Sequence, residues 1–180
     1  LDKYDDIATK GQYDRALKFG ISPEEAFKIV TKRSRDNSRT PMQWSADKNA
    51  GFTTSKAWID INENYKKINV QDQENCSKSV LKFYRKLISL RTESKYSSII
   101  VDGEFIPYYT EDVSVIAYLR VLEGKELLVI HNYQDKRGSV KIPEGFEEKI
   151  LGNRDRENPV SGKYKLEPYE CIVMYKEDES

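Results

Sequence analysis

Between residues 77 and 91 apolar side chains recur at three- and four-residue spacing: Val80, Leu81, Tyr84, Leu87 and Ile88, with Arg91 on the same stripe. That period predicts one buried helical face and the longest helix of the chain. Beyond about Glu93 the period shortens to two. Val115, Ala117, Leu119 and Val121 alternate with Ile116, Tyr118 and Arg120, as expected of a strand with one face on a core. Strands are predicted over residues 103–109, 114–122, 126–133, 139–142 and 148–152, with a last pair within 163–175. Turn signals separate them at sandwich-like spacing, and Glu123-Gly124 supplies a tight hairpin. Upstream, Ser22-Pro23-Glu24-Glu25 is a helix start: the hydroxyl can accept from the amide three residues on, and proline suits the first helical position. That helix is expected to end near Lys32. From residue 33 to 75 no period is sustained, so a long loop is expected, with a short turn near Trp58. A loop of this length within a compact unit is usually functional or disordered.

Composition narrows the classes. The chain has 180 residues, 30 basic and 30 acidic, and 38% hydrophobic residues. One or two domains are expected. The balanced charge gives no field to draw nucleic acid or an anionic membrane, and neither partner is expected. Apolar runs such as Leu127-Leu128-Val129-Ile130 are far shorter than the roughly 20 residues of a membrane span. The opening Leu1-Asp2-Lys3-Tyr4-Asp5-Asp6 lacks the basic lead and apolar stretch of a signal peptide and reads as a cut edge. Cys76 and Cys171 have no metal or redox spacing and fit a reducing cytoplasm. No acidic loop has calcium-ligand spacing. No metal and no cofactor are expected.

One segment reads as part of an active site: Arg35-Asp36-Asn37-Ser38-Arg39-Thr40-Pro41-Met42-Gln43-Trp44, followed by Asn49-Ala50-Gly51-Phe52-Thr53-Thr54. It resembles a signature of the oligo-1,6-glucosidase-like α-glucosidases of the α-amylase superfamily (glycoside hydrolase family 13), a group that also holds dextran glucosidases and trehalose-6-phosphate hydrolases. The resemblance extends over about residues 1–175, and Leu166-Glu167-Pro168-Tyr169-Glu170 resembles the segment before the family's last strand. It implies an α+β chain, the helical end-piece of a (β/α)8 barrel followed by an antiparallel β-sandwich C-terminal domain. Residues 1–93 would be the C-terminal remnant of the catalytic barrel, with a substrate-binding loop at 33–75 and a last helix at about 77–91. Residues 94–180 would be the sandwich. The implied activity is retaining, exo-acting hydrolysis of α-1,6-linked isomalto-oligosaccharides. The nucleophile and acid/base are then expected upstream of Leu1, so these residues alone would be inactive and their partner would be the missing barrel portion.

By resemblance Arg39 stands beside the glucose bound at the non-reducing end. A guanidinium offers five donors in a rigid fork, which suits sugar hydroxyls and a carboxylate together; the alternative is an arginine bridging loop carbonyls. Arg35 and Asp36 are weaker candidates for substrate contact and are expected to pair with each other. Asn37 and Gln43 fit a loop whose backbone groups need side-chain partners. Trp44 and Phe52 could stack on a sugar or anchor packing, and Gly51 is expected to take a backbone angle that other residues avoid. His131 reads as a structural strand residue. A fragment of a trehalose-6-phosphate hydrolase is an alternative. A non-catalytic carbohydrate-binding or structural β-sandwich is another, for which Tyr108-Tyr109 would supply a platform.

Overall fold

The computed structural model describes residues 1–177; the last three positions of the expected sandwich lie outside the described residues. The chain divides into two compact units, Leu1–Lys82 and Phe83–Ser180. The division falls inside a helix, upstream of the change of pattern at residue 93.

In the first unit, α1 spans Ile7–Lys18 and α2 spans Pro23–Lys32. The start of α2 follows its sequence: Ser22 accepts from the Glu25 amide at 3.3 Å, Pro23 opens the helix, and Ala26 and Val30 are buried. Helix α1 has no apolar stripe to announce it, and Thr9 is its only buried residue. Its start is set by Asp6, whose carboxylate accepts from the Thr9 amide at 3.2 Å and the Thr9 hydroxyl at 2.6 Å. An N-cap of this kind satisfies amides that the helix itself leaves free. The stretch expected as a long loop is organised by three short 3-10 turns, Arg35–Ser38, Lys48–Gly51 and Glu63–Lys66, and ends in α3, Val70–Asn75.

Helix α4, Val80–Thr92, has 13 residues and is the longest among the described residues. It begins at Val80 because the Ser79 hydroxyl, itself donating to the Gln73 carbonyl, accepts from the Lys82 amide at 3.2 Å. Its expected buried face is not buried. No α4 residue is buried, and Val80, Tyr84 and Ile88 are 66%, 60% and 59% exposed. Leu90 packs against the cluster of Tyr96, Ile99, Leu127 and Val173. Tyr84, Leu87 and Ile88 instead border an open groove of about 930 Å3 whose other wall is formed by sheet residues including Phe105, Ile116 and Val129. An apolar stripe reports that a face is suited to burial; whether anything covers it is a tertiary matter.

Among the described residues the second unit continues with α5, Ser97–Asp102, which the sequence does not announce, and seven strands. Strands β1 (Glu104–Tyr108), β2 (Val115–Leu122), β3 (Lys125–Asn132), β7 (Cys171–Glu177) and β5 (Glu148–Gly152) form one antiparallel sheet in that order. Strands β4 (Gly138–Ile142) and β6 (Gly162–Leu166) form a second, two-stranded antiparallel sheet. The predicted strands match these to within one or two residues at most ends. The β2–β3 hairpin turns through Glu123 and Gly124 with φ of 49° and 75°, the double left-handed turn that matches strand twist. Alternation then sorts the side chains. Val115, Ala117, Leu128, Ile130, Ile172 and Met174 meet Val140, Ile142 and Leu166 of the small sheet in the main core. Leu127 and Val173 face the other way, toward Ile99 and Leu90.

Candidate functional site

The motif begins where α2 ends. Ser34 caps the Arg35–Ser38 turn by accepting from the Asp36 amide, and in a 3-10 turn side chains three apart eclipse. Asp36 therefore meets Arg39: Nη2 donates to Oδ1 at 2.5 Å. The pair expected between Arg35 and Asp36 is corrected by this geometry. Arg35 points to solvent, and its guanidinium has no ion-pair partner among the described residues.

Asp36 is buried, and its second oxygen accepts from the Asp5 amide at 2.6 Å and the Asp6 amide at 3.0 Å. Burial pushes this carboxyl up, but the two amides and the Arg39 guanidinium outweigh it, and the net shift is downward. Asp36 is thus an ionised anchor whose acceptor sites are largely used by the protein. Arg39 is over a third exposed. Its guanidinium bonds to the Asp36 carboxylate and lies over the Trp58 ring, 5.8 Å from the centroid. The expected alternative, a guanidinium bridging loop carbonyls, is not what forms.

The supporting residues do what a loop without a ladder requires. Asn37 donates to the Thr31 carbonyl at 2.8 Å, satisfying the last turn of α2. The Gln43 side chain donates to the Ile68 carbonyl, and the Gln43 backbone carbonyl accepts from the Val70 amide at 2.9 Å. Trp44 is held by its backbone, donating to Ala50 and accepting from Gln71, while its side chain is half exposed, as is that of Phe52. Asn49, Ala50 and Gly51 are consecutive left-handed residues with φ of 55°, 57° and 65°. At Gly51 a Cβ would stand 2.6 Å from the Ser45 hydroxyl oxygen, so both angle and space call for glycine. Beside the motif a cleft of about 610 Å3 is lined by polar residues such as Asp36, Asn37 and Asn49 and by apolar ones such as Ile59 and Ile61.

Sequence reasoning missed Asp5, Asp6 and Trp58. Asp5 and Trp58 are 53 positions apart, yet the indole donates to Asp5 Oδ2 at 2.7 Å; no local pattern signals such a pair. In the second unit, His131 lies in β3 opposite Cys171. Tyr108 is tied by its hydroxyl to the Lys141 carbonyl at 2.8 Å, and of the pair Tyr109 is the exposed ring. Among the described residues no group of three or more His, Cys, Asp or Glu side chains could hold a metal.

A helical piece with a signature loop, followed by an antiparallel β domain, is matched by two family models. The α-amylase catalytic domain matches residues 9–103, and the C-terminal domain of the α-amylase SusG matches residues 115–173. The chain belongs to the α-amylase family. It is 37% identical over 177 residues to a probable oligo-1,6-glucosidase of Bacillus subtilis, covering 96% of this chain and 31% of that protein. It is 35% identical to the oligo-1,6-glucosidase of Bacillus cereus, covering 97% and 32%. Among solved structures it resembles the trehalose-6-phosphate hydrolase of Bacillus licheniformis, with a TM-score of 0.88 at 32% identity, covering 98% of this chain and 32% of that one. It also resembles the isomaltulose synthase of Klebsiella sp. LX3, with a TM-score of 0.86 at 34% identity, covering 97% and 32%. The chain thus spans about a third of the length of the relatives it matches.

Proposed function

We propose that these residues form the C-terminal part of a retaining, exo-acting α-glucosidase that releases glucose from α-1,6-linked isomalto-oligosaccharides. In this reading Arg39 grips hydroxyls of the glucose at the non-reducing end. The observation that carries it is the Arg39 guanidinium held on the buried Asp36 carboxylate at 2.5 Å while still over a third exposed. A guanidinium so fixed presents its remaining donors in a set plane, and a hydrogen bond to a charged group contributes about 1.5–3 kcal/mol, enough for a tenfold to hundredfold preference for a chain end. Asn37, Gln43, Trp44, Gly51 and Phe52 support the loop, and Asp36 anchors Arg39 without touching sugar. Arg35, exposed on the same turn, is a secondary candidate for substrate contact.

Retaining hydrolysis needs two carboxyl groups about 5–5.5 Å apart, one to attack the anomeric carbon and one to protonate the leaving oxygen. The reading assigns both to the part of the enzyme outside this chain, so the chain alone is inactive. Two free cysteines support a cytoplasmic setting; no helix among the described residues is long and apolar enough to cross a membrane.

The test is glucose release from isomaltose, para-nitrophenyl α-glucoside and trehalose-6-phosphate by the full-length enzyme and by this chain. The reading expects turnover of isomaltose by the first and none by the second. Likeness to trehalose-6-phosphate hydrolase supplies the second reading, which preferential turnover of the phosphorylated substrate would establish. Turnover by the chain alone, lost in Arg39→Ala, would overturn the assignment of the carboxylates.

A further inference from the structure

Trp58 is 75% exposed, so burial of its ring does not account for its position. Two directed contacts do. Its indole N–H donates to Asp5 Oδ2 at 2.7 Å, and its ring lies beneath the Arg39 guanidinium at 5.8 Å. The Asp5 backbone amide in turn donates to Asp36 Oδ2 at 2.6 Å, and Asp36 Oδ1 accepts from Arg39 Nη2. Four residues from three separate stretches therefore close a ring of contacts, Arg39 to Asp36 to Asp5 to Trp58 and back to Arg39. All four belong to the first unit.

The ring constrains the guanidinium in a way that neither contact does alone. A single carboxylate bond at Nη2 leaves the plane free to rotate about that bond. A ring face beneath the cation, attracted through its quadrupole, removes that rotation. Asp5 serves both sides at once: its amide helps to hold the carboxylate that fixes the edge, and its side chain holds the indole that fixes the face. The only bond of the Arg39 guanidinium among the described residues is the one from Nη2, so the second Nη2 N–H, paired with Nη1 or with Nε, leaves one edge of the fork open. Two parallel N–H groups in a fixed plane match two adjacent oxygens.

Building on the reading of Arg39 as the sugar-gripping residue, we infer that Trp58 and Asp5 are positioning residues that set the plane of its guanidinium for a two-point grip on adjacent hydroxyls of the terminal glucose. Neither touches the reacting atoms. Trp58 acts through Arg39, so its effect exists only while Arg39 is present.

A double-mutant cycle in the full-length enzyme reads this directly. Trp58→Ala is expected to lower kcat/KM on isomaltose about tenfold, mostly through KM, whereas in an Arg39→Ala background the same change should cost less than about twofold. Trp58→Phe, which keeps a ring face, should recover most of the loss. Asp5→Ala should give a smaller loss that also vanishes without Arg39, and it keeps the cycle readable should Trp58→Ala fail to fold. Equal losses with and without Arg39 would make Trp58 a general packing residue and overturn the inference, as would no loss at all. If the enzyme turns over another α-glucoside but not isomaltose, the proposed substrate is wrong, and the cycle on the substrate it does take still decides the role of Trp58. The contact itself is read on the 180-residue chain. With Trp44→Phe leaving Trp58 as the only tryptophan, Arg39→Ala should change its emission, and unchanged emission would overturn the ring.

Discussion

Replacing Glu170 with alanine is the sharpest perturbation of the β unit. This carboxylate is 1% exposed, and it accepts from Arg156 Nη1 at 2.7 Å, from the Glu167 amide at 2.7 Å and from the Tyr164 hydroxyl at 3.1 Å. Arg156 also lies over the Tyr164 ring. The network ties the turn before β7 to the loop after β5 and to β6. Breaking a buried charge pair by removing one partner costs about 3–5 kcal/mol when the other charge stays buried. Arg156 is 36% exposed, so water re-solvates much of it and that part of the cost falls. The Glu167 amide and the Tyr164 hydroxyl are left without their acceptor at about 1–3 kcal/mol for an unsatisfied buried group. The expected loss is therefore about 2–4 kcal/mol. At about 4–8 °C per kcal/mol for a unit of roughly this size, the melting temperature falls by about 8–32 °C. The assay is thermal and urea unfolding followed by near-ultraviolet circular dichroism of the tyrosines. Trp44 and Trp58, both in the first unit, report that unit separately. Glu170→Gln keeps an acceptor and loses the charge, so it should fall between wild type and alanine. A change below about 0.5 kcal/mol in Glu170→Ala, or identical losses in the two variants, would refute the claim that this carboxylate holds the turn.

Two further expectations concern the motif and the hairpin. Asp36 has a carboxyl held below its ordinary value of 3.8 in the fold, so its contribution is complete above that value and is lost as pH falls toward the folded value. Tryptophan fluorescence should show an acid transition of the first unit beginning below about pH 4, and Asp36→Asn should flatten it; an unchanged transition would count against the anchor. Glu123 takes φ of 49° in a turn position that favours asparagine, so Glu123→Asn should stabilise the β unit by about 0.5–1 kcal/mol in urea unfolding.

Much of the fold is legible locally. Ser22, Pro23 and Glu25 announce α2, the alternation from Val115 to Val121 announces β2 and its two faces, and Glu123-Gly124 announces the hairpin, because caps, period and turn angles act over a few residues. The motif was legible as a loop needing side-chain support, and Gly51 as one of its left-handed residues, while those at Asn49 and Ala50 were not. Helix α1 was not, since its start rests on one buried carboxylate and no apolar stripe. Nor was the partner of Asp36, which the 3-10 geometry makes Arg39 and not Arg35.

By itself the sequence determined the family, the order and type of most elements and the identity of the arginine motif, since each is written in residue type and short spacing. The tertiary structure alone decided that Asp36 is buried under the amides of Asp5 and Asp6, that Trp58 lies beneath Arg39, and that the apolar face of α4 stands open over a groove. These depend on contacts between residues 19 to 53 positions apart and on which surfaces meet. Local periodicity carries no record of either, because burial is non-directional and is settled only when distant segments pack.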